Sequence, residues 1–160
     1  MPEVSESDFC RALTQRLGTD HALVVAELAN AGNLRRTTSI PSAALAAKRF
    51  EAAVLSASTA WREAGRLDWT HVGLLFEAQP INLEPSLRES AARYGFDDPY
   101  SGAGRIDLSV VAVTILLKPF ANLVDVMREA AMGLTQASAE VPPDWRAPLH
   151  PDRWCGVREA

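Results

Sequence analysis

Cysteine and lysine are nearly missing from this chain: Cys10 and Cys155 are the two thiols, and Lys48 and Lys118 the two lysines, in 160 residues. So few thiols exclude the disulfide framework of a small secreted domain, and two so far apart in sequence are expected to stay reduced. Acidic side chains outnumber basic ones by 20 to 16, for a net charge of -4. That balance argues against nucleic acid as a partner, since phosphate binding needs a basic face. Long apolar runs are absent too. The longest, Leu108 to Leu117, is about half of what a bilayer needs. The opening Met-Pro-Glu-Val-Ser-Glu-Ser-Asp has no apolar signal core, so a cytoplasmic location and no membrane association are expected. Arginine and alanine are abundant, which is the bias of a GC-rich bacterial coding sequence.

With 48% apolar and 22% charged residues, the chain has the composition of a globular domain and the length for one core. Its apolar periodicity predicts an all-α fold, a bundle of about six to seven helices. Ser5 or Ser7 caps a first helix carrying Phe9, Leu13 and Leu17, closed by Gly18. Thr19 or Asp20 caps a second with Leu23, Val24 and Leu28. Pro41 opens the clearest stripe, Ala46, Phe50, Ala53, Val54, Ala57, Trp61 and Ala64, closed by Gly65. Asp68 caps a helix over Trp69 to Ala78, and Pro85 stands in the first turn of another with Leu87, Ala91 and Tyr94. Leu108 to Leu117 suits either a helix or a buried strand. Pro119 opens a last helix with Phe120, Leu123, Val124, Met127, Ala131 and Leu134. The expected organisation is one helical domain, residues 1–137, and an extended proline- and tryptophan-bearing tail, residues 138–160, packed on that domain or on a partner.

An internal match at offset 39 links residues 64–80, beginning Ala-Gly-Arg-Leu-Asp and ending in proline, to residues 103–119, beginning Ala-Gly-Arg-Ile-Asp and ending in proline. Pro41, Pro80 and Pro119 share the offset, as do Ala52-Ala53, Ala91-Ala92 and Ala130-Ala131. Residues 41–119 therefore read as two related helical-hairpin units, which makes 108–117 a buried helix. Trp61, Gly65, Leu74 and Pro85 loosely resemble signature positions of tetratricopeptide repeats, over one unit and at longer spacing.

Chemistry-bearing patterns are few. Arg66 and His71 have the Arg-x4-His spacing that resembles helical HEPN ribonucleases, which implies histidine as a general base beside a phosphate. Arg16 and His21 share that spacing, and Arg105 has no histidine five residues on. Residues 9–36 resemble a helix-turn-helix DNA-binding unit, although Asp20, His21, Ala22 and Leu23 lead its second helix where base-reading arginines would stand. Asp97, Asp98, Tyr100 and Arg105 form the most polar loop and are candidates for binding. So are Trp145 and Trp154, because aromatics favour interfaces. His21, His71 and His150 are isolated and no Cys-x2-Cys occurs, so neither metal nor cofactor is expected. The favoured reading is a protein-interaction module without catalytic activity (adaptor, immunity or regulatory partner) with a protein partner and a possible homodimer. A HEPN-like ribonuclease and a helix-turn-helix regulator are the alternatives.

Overall fold

Ala-Leu-Val-Val-Ala-Glu-Leu forms a strand, β1 (Ala22–Leu28), in which every residue is buried. A run that is apolar on both faces has no period to separate a central strand from a buried helix, and here helices cover the strand from both sides. The computed structural model describes residues 6–100, 102 and 104–156. Around β1 the chain places α1 (Glu6–Gln15), α2 (Ala31–Thr37), α3 (Ile40–Ser56), β2 (Glu63–Asp68), β3 (His71–Phe76) and α4 (Leu83–Tyr94). The short strands β4 (Phe96–Asp97) and β5 (Arg105–Ile106) follow, then β6 (Val110–Leu116) and α5 (Leu123–Ala137). The tail makes two short helical turns, Pro143–Trp145 and Pro151–Gly156. The main sheet runs β2-β3-β1-β6 with every neighbour antiparallel, and β4 pairs with β5 apart from it.

The fold is thus α/β, and the all-α bundle expected from periodicity is incorrect. Three expected helices are strands: 19–28 holds β1, 69–78 holds β3, and 108–117 holds β6. The Pro41 stripe is helical only to Ser56, with Ser39 Oγ accepting the Ser42 amide at its start. Trp61 and Ala64 lie beyond it, Ala64 in β2. The α5 cap is Asn122, whose side chain accepts the Asp125 amide at 3.0 Å, rather than Pro119. Ser5, proposed as a cap, and Ala103, the start of the second repeat unit, lie outside the described residues, as do residues 157–160 of the tail.

Residues 41–119 are not helical hairpins. The matched segments are strands: β2 with β5 and β3 with β6. β3 and β6 flank β1 on either side, and Leu23 faces both Leu75 and Ile115. Their structural offset is therefore 40 (115 − 75), one more than the sequence match. At offset 39 Phe76 would align with Ile115, but those side chains point to opposite faces of the sheet. A slip of one residue moves a side chain across a sheet.

Two cores result. On one face Ala46, Phe50 and Val54 of α3 and Leu83, Leu87 and Ala91 of α4 pack on Ala22, Val24, Val72 and Leu74. On the other, Phe9 and Leu13 of α1 and Val126, Met127, Ala130 and Leu134 of α5 cover Leu23, Val25, Leu75 and Ile115, joined by Trp154 from the tail. Gly65 and Gly73 are cross-strand partners. A Cβ on either would overlap the Phe9 ring, so both must lack a side chain for α1 to sit on the sheet. Cys10 and Cys155 are joined in a disulfide, which corrects the expectation of reduced thiols. Among the described residues no helix is long and apolar enough to cross a membrane.

Candidate functional site

Glu27 is the one charged residue of β1. Alternation along the strand puts it on the same face as Leu23 and Val25, beneath α1, α5 and the tail. Register places it opposite His71 of β3. The turn from β2 into β3 is fixed by Asp68, whose Oδ1 accepts the Thr70 amide at 2.9 Å and the Thr70 hydroxyl at 3.1 Å. This is the local bonding that makes Asp a turn former. The same oxygen lies 2.7 Å from His71 Nδ1, while His71 Nε2 lies 3.0 Å from Glu27 Oε1.

The tail completes the cluster from above. Arg146 donates Nε to Glu27 Oε2 and Nη2 to Oε1, both at 2.8 Å, a bidentate pairing. Trp154 donates its indole N–H to Asp68 Oδ2 at 2.8 Å, and its ring stands 4.8 Å from the imidazole. Glu27 and His71 are each 1% exposed.

Burial pushes the His71 imidazole down, but hydrogen bonds to Asp68 and Glu27 and their charges outweigh it, and its pKa is raised. Burial pushes the Glu27 carboxyl up, but hydrogen bonds from Arg146 and His71 win and lower it. Asp68 behaves likewise: burial raises it, and the His71 bond, the His71 charge and the Trp154 and Thr70 bonds bring it below the usual range. Both imidazole nitrogens face a carboxylate, so both carry protons. The cluster is two carboxylates against an imidazolium and a guanidinium, neutral in sum, with Glu27 and His71 buried and Asp68 at its half-buried edge.

A divalent cation does not fit these residues as arranged. Both Glu27 oxygens are held by His71 and Arg146, and both Asp68 oxygens by His71, Thr70 and Trp154. Among the described residues no group of three His, Cys, Asp or Glu is placed to hold a metal ion.

Beside the turn, on the other face, Trp69 is 36% exposed and Arg35 of α2 stands over its ring, 5.2 Å from the centroid. Ser39, Ile40, Ala43 and Ala44 complete a cleft of about 440 Å³ there. A second cleft of about 440 Å³ lies along α2, between Asn33, Thr38, Arg105, Asp107 and Trp145.

Arg66 and His71 do not meet. Arg66 bonds Glu51 of α3 at 2.6 Å, on the face opposite His71. Asp98 Oδ1 accepts from the Ser42 hydroxyl at 2.6 Å and from the Tyr100 amide at 2.9 Å. Arg105 reaches Asp107 at 3.2 Å, and Asp97 and Tyr100 are exposed. That loop belongs to the β4–β5 pair beside α3 and α4, away from the buried cluster. Trp145 lines the cleft along α2, and Trp154 is inside the cluster. Sequence reasoning missed Glu27 and Arg146 and read Asp68 as a helix cap. The available signal was a single carboxylate in an otherwise apolar run, which cannot be buried without cationic partners.

The sequence matches no protein-family profile and no curated protein. Among solved structures the chain is similar to the GGDEF domain of FimX from Pseudomonas aeruginosa, at 15% identity over 83% of this chain and 85% of that one, with a TM-score of 0.65. It is also similar to the active GGEEF domain of a diguanylate cyclase from Vibrio cholerae, at 13% identity over 84% and 87% of the two chains and a TM-score of 0.60. A diguanylate cyclase/phosphodiesterase from Caldicellulosiruptor saccharolyticus gives 13% identity over 83% and 80%, with a TM-score of 0.58. At these identities the likeness is one of fold. The string Gly-Gly-(Asp/Glu)-Glu-Phe in the names of those domains does not occur here; no two glycines are adjacent. The α/β fold and its likeness overturn the helical-repeat architecture on which the interaction-module reading rested, and both alternatives with it. A HEPN-like ribonuclease would be helical and would need Arg66 beside His71. In the supposed helix-turn-helix, residues 9–36, the second helix is the central strand β1.

Proposed function

We propose that this chain is a guanine-nucleotide signalling domain on the diguanylate cyclase fold. The observation that carries the reading is the likeness of fold to GGDEF domains from several bacteria over more than four-fifths of the chain. The nucleotide is assigned to the cleft beside the β2–β3 turn. Its volume of about 440 Å³ suits a small ligand. The partly exposed Trp69 indole offers an aromatic surface for a purine, and Arg35 beside it supplies positive charge for a phosphate. The buried Glu27–His71–Asp68 cluster lies behind the same turn and holds Trp69 in place through Asp68 and Thr70. A cytoplasmic location, where nucleoside triphosphates are found, belongs to the same reading.

The test is calorimetric titration of the purified protein with GTP, GDP and cyclic diguanylate, with ATP as control, alongside chromatography of the GTP reaction for a cyclic product. The reading expects saturable binding of a guanine nucleotide. Trp69→Ala should weaken it by about 1–3 kcal/mol, roughly 5- to 150-fold. No binding of any guanine nucleotide at millimolar concentration refutes it.

A further inference from the structure

The two cysteines of the chain meet although 145 positions separate them, and the bond ties α1 to the last turn of the tail. The residue beside it is Trp154, whose side chain is fully buried and covers the cluster by bonding Asp68 and packing on His71. The segment that closes the cluster is therefore the one the disulfide holds. Cys155 itself has left-handed backbone (φ 54°, ψ 22°), which non-glycine residues rarely adopt, so the turn has a conformation to relax into once untied. Pro151–Gly156 forms no strand with the sheet. The upstream part of the tail has separate anchors: Arg146 on Glu27, and Arg36 on the Asp144 carbonyl at 2.6 Å.

We propose that Pro151–Gly156 is a thiol-controlled cover. With the disulfide formed it covers His71 through Trp154; with the bond reduced this turn lifts off, while the Arg146 end of the tail and the sheet stay in place. The reductant is a dithiol, small-molecule or protein. One of its thiolates attacks a sulfur of the Cys10–Cys155 bond and forms a mixed disulfide. Its second thiol closes the reductant's own disulfide, so two electrons pass to the protein. Cys10 and Cys155 leave as thiols, carrying the two protons the dithiol loses. Cys155 is half-buried, which leaves the attacking thiolate a path. The proposal does not depend on nucleotide binding.

The test is hydrogen exchange by mass spectrometry on the full chain, oxidised and after dithiothreitol, with thiols counted by alkylation. Cys10→Ser serves as a permanently open form. The expected result on reduction is two new thiols and at least tenfold faster exchange in 151–155. Amides of 22–28 and 71–76 should remain protected, and reoxidation should restore the closed state. Unchanged exchange in 151–155 with both thiols free overturns the proposal. So does a disulfide that never forms under oxidising conditions, or sheet amides that lose protection as completely as 151–155, which would make the opening global rather than local.

Discussion

Replacing His71 by alanine removes the positive charge between buried Glu27 and half-buried Asp68, together with the ring contact to Trp154. Glu27 keeps Arg146, and Asp68 keeps Thr70 and Trp154, but each loses the partner at 3.0 Å or 2.7 Å that offsets its desolvation. Removing one member of a buried ionic group costs about 3–5 kcal/mol. In a domain of this size each kcal/mol moves Tm by roughly 2–4 °C, so a fall of about 6–20 °C is expected. The pH dependence identifies the cause. The His71 pKa is raised, so its stabilising contribution is fully present below the ordinary value of 6.5 and is lost as pH climbs through the raised one. The carboxylate pKa values are lowered from 4.5 and 3.8, so their contribution is present above those values and is lost as pH falls through the lowered ones. The stability difference between wild type and His71→Ala should therefore be largest between about pH 4.5 and 6.5, and shrink on either side. Urea denaturation at a series of pH values measures it. A difference below about 1 kcal/mol, or one that is flat with pH, would refute an imidazolium held between two carboxylates.

Other consequences are measured the same way. Gly73→Ala and Gly65→Ala each force a Cβ into Phe9 and should cost about 1–3 kcal/mol; adding Phe9→Leu should recover part of the Gly73 loss, whose overlap is with ring Cζ and Cε2, and not the Gly65 loss, whose overlap is with Phe9 Cβ and Cγ. Reducing the Cys10–Cys155 bond should lower the urea midpoint by the equivalent of about 2–4 kcal/mol, since the loop it closes spans most of the chain. Arg66→Ala breaks a single ion pair to Glu51 whose arginine is half exposed and should cost about 1 kcal/mol or less, far below the His71 effect.

How much was legible in the sequence depended on whether an element has one wet face. α4 could be read, with Leu87 and Ala91 inward and Gly95 at its end, because half of it meets water. β1 and β3 could not, because burial on both faces erases the alternation that marks a strand. The β2–β3 turn was half legible. Asp68 does bond the amide two residues on, as a capping aspartate would, yet the chain there turns back into a strand. Gly65 and Gly73 looked like a helix stop and a helix interior until pairing set both against Phe9. The cluster assembles from β1, the turn and the tail, 119 residues apart between Glu27 and Arg146, and no local spacing reports such a contact. The disulfide was hidden for the same reason.

The functional account is tested most directly by titrating GTP into isotope-labelled protein and following amide and indole resonances. It predicts saturable shifts of the Trp69 indole N–H and of the Arg35, Ser39, Ala43 and Ala44 amides around the cleft. Resonances that stay still at millimolar GTP, or that move only elsewhere on the molecule, would contradict it.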